Sequence, residues 1–123
     1  KVRLVLFRNG DIEVETEELD ERDEPVALHL AAGRVDPSEP QWFHKTLDRS
    51  RYPDPDEGEA LMINLDGLVT ETNISNLMVR YRPRRLERTQ VREADVALDD
   101  LEKADELAVT NAVRGWRKAV LIG

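Results

Sequence analysis

The chain has 123 residues, a formal net charge of −8 and no cysteine, which fits one domain with a strongly solvated, acidic surface. The negative charge argues against binding of nucleic-acid phosphates or of an anionic membrane surface. The lack of cysteine excludes disulfides, thiolate zinc sites and cysteine nucleophiles. No apolar run approaches the roughly 20 residues that a membrane helix needs. These features favour a cytoplasmic protein and leave its fold open.

The first half of the chain is dominated by strand-like patterns separated by turns. Residues 2–7 predict a strand, an Asn-Gly pair at 9–10 is typical of a two-residue hairpin turn, and residues 11–16 alternate like a returning strand. After an acidic connector, the apolar run at 25–31 predicts a third strand. Residues 42–52 are moderately helical in pattern, and a turn-rich break follows them.

The second half continues with strands joined by turns and one short helix. An Asp-Gly pair at 66–67 is a second hairpin signal. The predicted strands are 59–64, 76–81, 91–96, 107–110 and 118–122, and the predicted helix is 98–104. Because strands outnumber helices and lie in hairpins, the predicted fold class is α+β, a strand-rich pseudo-barrel, rather than a doubly wound sheet.

Lys45 is the first candidate for chemistry. It lies in the run His44-Lys45-Thr46, directly after Trp42 and Phe43. A partly apolar setting lowers the pKa of a lysine amine and makes the amine nucleophilic. Most lysines are nevertheless solvated surface charges, so the residues alone favour the simpler interpretation.

Glu71 is the second candidate, in a dense polar patch that separates two apolar runs at residues 70–76. A carboxylate at such a place can hold a protonated pyridine nitrogen and keep a cofactor ring electron-withdrawing. The commoner interpretation is a turn, in which Thr, Asn and Ser side chains bond their own backbone. From the pattern alone, the turn is favoured.

The third candidate is the segment 110–115, Thr-Asn-Ala-Val-Arg-Gly, which follows an apolar strand. Backbone N–H groups in such a strand-to-loop transition can hold a phosphate. The segment lacks the glycine density of recognised phosphate loops, so an ordinary loop is the commoner interpretation. The two histidines, His29 and His44, have no metal-ligand spacing, and no G-x-S-x-G elbow is present.

Taken in order, these segments resemble one family. His-Lys-Thr is followed by Leu-Met-Ile-Asn-Leu-Asp-Gly-Leu-Val-Thr-Glu, then Ile-Ser-Asn-Leu, then Ala-Asp-Glu-Leu-Ala-Val-Thr-Asn-Ala-Val-Arg-Gly. Almost the whole chain is similar to the C-terminal domain of class IV pyridoxal-phosphate enzymes, which include aminodeoxychorismate lyases and branched-chain and D-amino-acid aminotransferases. The opening Val-Arg-Leu…Asn-Gly hairpin and the closing Val-Arg-Gly-Trp-Arg are most similar to the lyase portion fused to aminodeoxychorismate synthase component I.

The resemblance implies a role for each matching residue. Lys45 corresponds to the lysine that holds pyridoxal phosphate covalently and later carries a proton. Glu71 corresponds to the partner of the pyridine nitrogen, and Asn111 and Ala112 correspond to the loop on the phosphate side. Two further residues match without a direct cofactor role: Arg49, to which no function is assigned, and Asn76, which is expected to support the strand behind Glu71.

The chain also departs from the family pattern. Ala112 stands where the family usually has Ser or Thr, and the smaller N-terminal domain, which contributes an arginine to the phosphate, has no counterpart. Compared with the family, the chain lacks residues near 52–59 and near 81–91. In the second of these places the family has a loop and a helix N-terminus that bind phosphate. Either the protein is degenerate, or residues 1–123 are parts of a longer chain; we favour the second interpretation.

The function implied by the resemblance is a lyase that converts 4-amino-4-deoxychorismate to 4-aminobenzoate and pyruvate in folate biosynthesis. A class IV aminotransferase using the same residues is the alternative, and a cofactor-free scaffold domain is the second. The expected cofactor is pyridoxal 5′-phosphate, with no metal. The expected partners are a small-molecule substrate and a second copy in a homodimer, with fusion to, or joint action with, aminodeoxychorismate synthase also implied.

Overall fold

The computed structural model describes residues 1–20, 25–44, 47–81 and 91–122. In chain order, the strands are β1 (Val2–Leu6), β2 (Ile12–Thr16), β3 (Val26–Val35), β4 (Glu59–Asn64), β5 (Val69–Thr72), β6 (Asn76–Arg80), β7 (Glu106–Asn111) and β8 (Gly115–Ile122), and a short helix, α1 (Leu98–Leu101), precedes β7. The described part of the chain is therefore strand-rich, as predicted. None of its helices has the length and apolar character needed to cross a membrane.

The first two strands form a separate two-stranded antiparallel sheet. Its turn contains the predicted Asn-Gly pair, and Gly10 has a φ of +94°, which only glycine adopts readily. Leu4 faces Val14 across the hairpin, and Leu4 is 69% exposed. One face of the hairpin is apolar and exposed. Its members are Val2, Leu4, Leu6, Ile12 and Val14.

The other six strands form one mixed sheet in the order β5-β4-β3-β8-β7-β6. Strand β3 pairs in parallel with both β4 and β8, whereas the other neighbours are antiparallel. The two outermost strands, β5 and β6, are consecutive in the chain, and Thr72 N donates to Ser75 O across the turn between them at 2.9 Å. The sheet therefore curls almost closed, which confirms the predicted strand-rich pseudo-barrel.

The core lies on the inner face of this sheet, where side chains from neighbouring strands meet. Leu28 is opposite both Glu59 and Leu121 in the strand register, and it is fully buried. The main cluster consists of Val26, Leu28, Val109 and Ala119, with Leu77, Leu107 and Leu121 packed against it. Full burial of a leucine side chain stabilises a fold by about 1.5–3 kcal/mol, so these strands hold the sheet in its curled form.

The predicted helix at 42–52 is wrong for the residues that the structure describes. Only a single 3-10 turn, Pro40–Phe43, forms there, and the described residues 47–52 are irregular. Asp48 accepts a hydrogen bond from the backbone N–H of Ser50 at 3.0 Å. Short polar side chains that bond their own backbone compete with helix formation, and Pro53 disfavours a helical conformation at the residue before it.

Three strand boundaries also differ from the prediction. Residues 91–96 form no strand, and the segment is instead tied down where Val96 O accepts Val69 N at 2.8 Å. Strand β3 continues through residues 31–35, because after a register irregularity it pairs again with β4. Strand β8 begins at Gly115, since the loop before it is a tight turn. Residues 21–24 of the acidic connector predicted at 17–24, residues 45–46 with Lys45, and residues 82–90 lie outside the described residues.

Candidate functional site

Glu71 lies on β5 with its side chain exposed. Its neighbour Thr72 is only 2% exposed and is opposite Leu61 of β4 in the register. The pairing of β5 with β4 has a register irregularity between Val69 and Thr72, and the two residues within it, Thr70 and Glu71, are both exposed. The buried Thr72 therefore points into the barrel and Glu71 points outward. The Glu71 carboxylate is therefore accessible to a ligand on the outer surface.

A group of buried polar residues lies on the inner face, directly behind Glu71. We refer to the buried residues Glu59, Thr72 and Ser75, together with the half-buried Asn111, as the buried polar cluster. Thr72 Oγ1 lies 2.5 Å from Glu59 Oε2, and Ser75 Oγ donates to Glu59 Oε1 at 3.1 Å. Asn111 Nδ2 donates to Ser75 Oγ at 2.9 Å. Each carboxylate oxygen of Glu59 thus accepts a hydrogen bond from a hydroxyl group. A buried carboxylate needs such hydrogen bonds to offset the cost of its desolvation.

The Thr72 hydroxyl has two acceptors within reach but only one proton. Its oxygen is 2.5 Å from Glu59 Oε2 and 2.9 Å from Ser75 O. Ser75 O already accepts the backbone N–H of Thr72, and hydrogen bonds to a carboxylate are the stronger kind. The proton therefore goes to Glu59, which leaves the hydroxyl oxygen to accept Ser75 N at 2.6 Å and Ile74 N at 3.2 Å.

Asn111 uses its side chain to shape the turn between β7 and β8. Its Oδ1 accepts Val113 N at 3.0 Å and Arg114 N at 2.8 Å, while its Nδ2 donates to Ser75. Gly115 closes the turn with a φ of +64°. Both polar atoms of Asn111 are engaged inside the fold, so a phosphate at this turn would meet backbone groups of residues such as the exposed Ala112.

Arg49 connects the segment after Lys45 with the turn after Glu71. Its guanidinium donates to Asn73 O and lies 3.9 Å from the centre of the Tyr52 ring. Asn73 is itself held by β4, because its Oδ1 accepts Ala60 N at 2.9 Å. The sequence assigned no role to Arg49, and the structure gives it a bridging one.

A small cavity of about 60 Å³ lies beside Arg49, bounded in part by Trp42, Tyr52 and Arg51. The Trp42 and Tyr52 rings meet edge to face, 5.3 Å between centroids. The Trp42 Nε1 atom is buried and has no hydrogen-bond partner among the residues that the structure describes. The pKa of Asp48, at the same cavity, is lowered by hydrogen bonds from the Ser50 hydroxyl and backbone N–H.

The structure describes the positions of some predicted site residues but not of Lys45. Lys45 lies outside the described residues, although His44 and Leu47 on either side of it are exposed. Asn76 begins β6 opposite Thr110 and is also exposed. The sequence missed Glu59, whose only signal was a carboxylate at the head of an otherwise apolar strand. Among the described residues, no group of three or more His, Asp or Glu side chains could hold a metal ion.

Among known proteins, the matches to this chain are solved structures. No protein-family model and no curated protein matches the chain. A protein from Mesorhizobium loti assigned as an amino-acid aminotransferase has a TM-score of 0.78 and 29% identity, over 98% of this chain and 72% of that one. A protein from Legionella pneumophila assigned as a 4-amino-4-deoxychorismate lyase has a TM-score of 0.73 and 20% identity, over 89% and 52% of the two chains.

A third similar structure is the 4-amino-4-deoxychorismate lyase of Pseudomonas aeruginosa, with a TM-score of 0.58 and 23% identity, over 79% of this chain and 47% of that one. The chain spans about half the length of the two lyases. The fold is therefore that of the fold-type-IV enzymes, and the resemblance to the class IV aminotransferases and aminodeoxychorismate lyases is confirmed. Of the three structures described, one is assigned as an aminotransferase, one is assigned as a lyase and one is a lyase.

Pyridoxal phosphate is the cofactor that this enzyme class implies. The described residues fit the pyridine end of this cofactor, because the exposed Glu71 carboxylate is the kind of group that pairs with a protonated ring nitrogen. At the phosphate end the fit is through backbone N–H groups near Ala112, since the Asn111 side chain is engaged in the turn. The residues present are thus compatible with the group.

Proposed function

We propose that the chain is part of a pyridoxal-phosphate-dependent lyase that converts 4-amino-4-deoxychorismate to 4-aminobenzoate and pyruvate. The observation that carries the proposal is the exposed carboxylate of Glu71 on the outer face of a fold-type-IV barrel. Two of the similar structures are lyases or assigned as such, and the β1–β2 hairpin and the turn before β8 carry the sequence patterns closest to the fused lyases.

The proposed chemistry divides between the cofactor and the chain. Pyridoxal phosphate, when bound, supplies an electron sink for the negative charge that develops on the substrate. Glu71 holds the proton on the ring nitrogen and so maintains that sink. Lys45 Nζ would hold the cofactor and, once free, would move a proton from the substrate so that the carbon–oxygen bond to the enolpyruvyl group breaks, pyruvate leaves and the substrate ring becomes aromatic. Backbone N–H groups near Ala112 orient the phosphate.

The proposal is tested first by cofactor uptake. The full-length protein, incubated with pyridoxal phosphate and then desalted, should turn yellow. Lys45→Ala should abolish the colour, whereas Lys103→Ala, which removes an exposed lysine paired with Asp100, should keep it. A chain that never takes up pyridoxal phosphate would overturn the enzyme proposal and leave the cofactor-free scaffold as the function.

The reaction is tested by product. With 4-amino-4-deoxychorismate as the sole substrate, the lyase should release pyruvate and 4-aminobenzoate in equal amounts. Glu71→Gln should lower the rate of pyruvate release, because an amide cannot hold the proton on the ring nitrogen as a carboxylate does. The control is Glu57→Gln, at an exposed position outside the proposed site, and it should leave the rate unchanged.

The second candidate is an aminotransferase on the same residues. The Mesorhizobium loti protein, with the highest identity and TM-score of the three structures described, is assigned as an aminotransferase, which favours this alternative. It predicts that a 2-oxo acid is released from an amino acid only when a second 2-oxo acid is supplied. Turnover under those conditions, with no pyruvate from aminodeoxychorismate, would replace the lyase proposal.

The remaining expectations concern the protein in its cell. We propose a homodimer in the cytoplasm that serves folate biosynthesis and is fused to, or works with, aminodeoxychorismate synthase. Light scattering on the full-length protein would give its molecular mass in solution, and a monomer would contradict the dimer.

We also propose that residues 1–123 are parts of a longer C-terminal domain. The full coding sequence would decide this.

A further inference from the structure

The two segments proposed to meet pyridoxal phosphate are joined inside the barrel. Glu71 is followed by Thr72, and Ala112 is preceded by Asn111, and both of these neighbours belong to the buried polar cluster. Asn111 Nδ2 donates to Ser75 Oγ at 2.9 Å, and Ser75 Oγ donates to Glu59 Oε1 at 3.1 Å. Ser75 is therefore the link between the turn of Asn111 and the rest of the cluster.

We propose that Ser75 is a positioning residue that sets the spacing between Glu71 and the turn at 111–115, and hence between the two ends of a bound pyridoxal phosphate. The inference rests on the proposed function for its ligand. Ser75 touches no ligand in this scheme and acts only through its neighbours.

The burial of Ser75 supports the proposal. It is 4% exposed, and Thr72 and Glu59 are 2% and 5% exposed, so water has little access to the hydrogen bonds among these three residues, while Asn111 is half-buried. Its backbone N–H also donates to Thr72 Oγ1 at 2.6 Å. Ser75 thus holds the end of β5 through its backbone and the β7–β8 turn through its side chain.

The opposite directions of neighbouring side chains explain how an inner contact can control an outer site. Thr72 points inward and Glu71 outward on the same strand. A shift of the Asn111 turn relative to Thr72 would therefore move backbone N–H groups near Ala112 relative to the Glu71 carboxylate. Sites held by such supporting hydrogen bonds lose affinity when the support is removed.

The experiment compares Ser75→Ala with Ser75→Thr, which keeps the hydroxyl, and with Ser38→Ala, which removes an exposed loop serine bonded to Asp36. In the full-length protein, Ser75→Ala should weaken pyridoxal-phosphate binding about five- to ten-fold, the equivalent of one lost hydrogen bond. Ser75→Thr should restore most of the affinity, and Ser38→Ala should not change it. Equal affinity for Ser75→Ala and Ser38→Ala would overturn the proposal.

A second measurement needs no cofactor. Amide hydrogen exchange in the cofactor-free protein should be faster at Val113 and Arg114 in Ser75→Ala than in Ser38→Ala, because their acceptor, Asn111 Oδ1, loses its anchor. Unchanged exchange would refute the coupling itself. If the unaltered protein fails to bind pyridoxal phosphate, the proposed function fails, while the exchange rates still decide whether Ser75 links the two segments.

Discussion

The Arg49 guanidinium donates a hydrogen bond to the backbone carbonyl of Asn73, twenty-four positions further along the chain. Arg49 follows the run that contains Lys45, and Asn73 lies two residues after Glu71. The contact therefore joins the segment that follows the proposed lysine to the turn that follows the proposed carboxylate. Tyr52 supports it from the other side, with its ring 3.9 Å from the guanidinium carbon.

Arg49→Ala should lower the free energy of unfolding by about 1–3 kcal/mol, because it removes both a charged hydrogen bond and a cation–π contact. Arg51→Ala is the matched control. Arg51 pairs with Glu39 at the surface, and exposed ion pairs contribute only about 0–1 kcal/mol. Urea unfolding of both variants measures the difference, and equal losses would show that the Asn73 contact adds no stability.

Glu59→Gln should destabilise the barrel by about 1–3 kcal/mol, since the amide nitrogen brings donors to a place where two hydroxyl donors already point. Those hydroxyls belong to Thr72 and Ser75. Glu57→Gln, two residues earlier and exposed, should change the free energy of unfolding by less than about 0.5 kcal/mol. If Glu59→Gln left the free energy of unfolding unchanged, the buried polar cluster would be able to rearrange without a loss of stability.

Two leucines on different sheets test where the core lies. Leu28 on β3 is 0% exposed, and Leu4 on β1 is 69% exposed. Leu28→Ala should lower the free energy of unfolding by about 2–5 kcal/mol through lost burial and a residual cavity, whereas Leu4→Ala should stay within about 0.5 kcal/mol. If Leu4→Ala proved as costly as Leu28→Ala, the hairpin face would be covered in solution.

These residues also show how far the sequence predicted the fold. Short-range signals were sufficient for the Asn9-Gly10 turn and for strands such as 59–64, because turn chemistry and apolar runs act locally. The parallel pairing of β3 with β4 and β8 joins residues far apart in sequence and left no local signal. The helix predicted at 42–52 is wrong for the described residues of that range, where Asp48 bonds the backbone of Ser50 instead.

The candidate site was predictable only through the family resemblance. The pattern alone favoured a turn around Glu71, and Thr72 and Ser75 do form one. The resemblance places Asn111 in the loop on the phosphate side, which stays a prediction, whereas the hydrogen bonds of its side chain to Ser75, Val113 and Arg114 have no signal in the sequence. Glu59 went unnoticed, since its partners lie thirteen or more positions away and a single sequence does not show which side chains meet.

The carboxyl of Asp48 should titrate below its ordinary pKa of 3.8, and the Ser50 hydroxyl is the main cause. Because the folded-state pKa is lowered, the stabilisation from this turn is present above the ordinary value and is lost as the pH falls through the folded-state pKa. Carbon-detected NMR titration should show the Asp48 pKa rising toward 3.8 in Ser50→Ala. An unchanged pKa would leave the backbone N–H as the dominant donor.

Gly58→Ala should be markedly more destabilising than Gly67→Ala, although both glycines have a positive φ, +81° and +83°. A left-handed backbone conformation costs a non-glycine residue about 1–2 kcal/mol at either position. At Gly58, the added Cβ would also lie 2.2 Å from the carbonyl oxygen of Ala27, whereas at Gly67 no atom of the described part of the chain lies within 4 Å.

The obstacle at Gly58 is backbone of β3, the central strand that pairs with both β4 and β8, so relieving the clash requires moving the strand that carries Leu28. Overpacking of this kind adds about 1–3 kcal/mol. Urea unfolding should therefore separate the two variants by at least about 1 kcal/mol. Similar midpoints would mean that the segment before β4 can move away from Ala27 without disturbing the sheet.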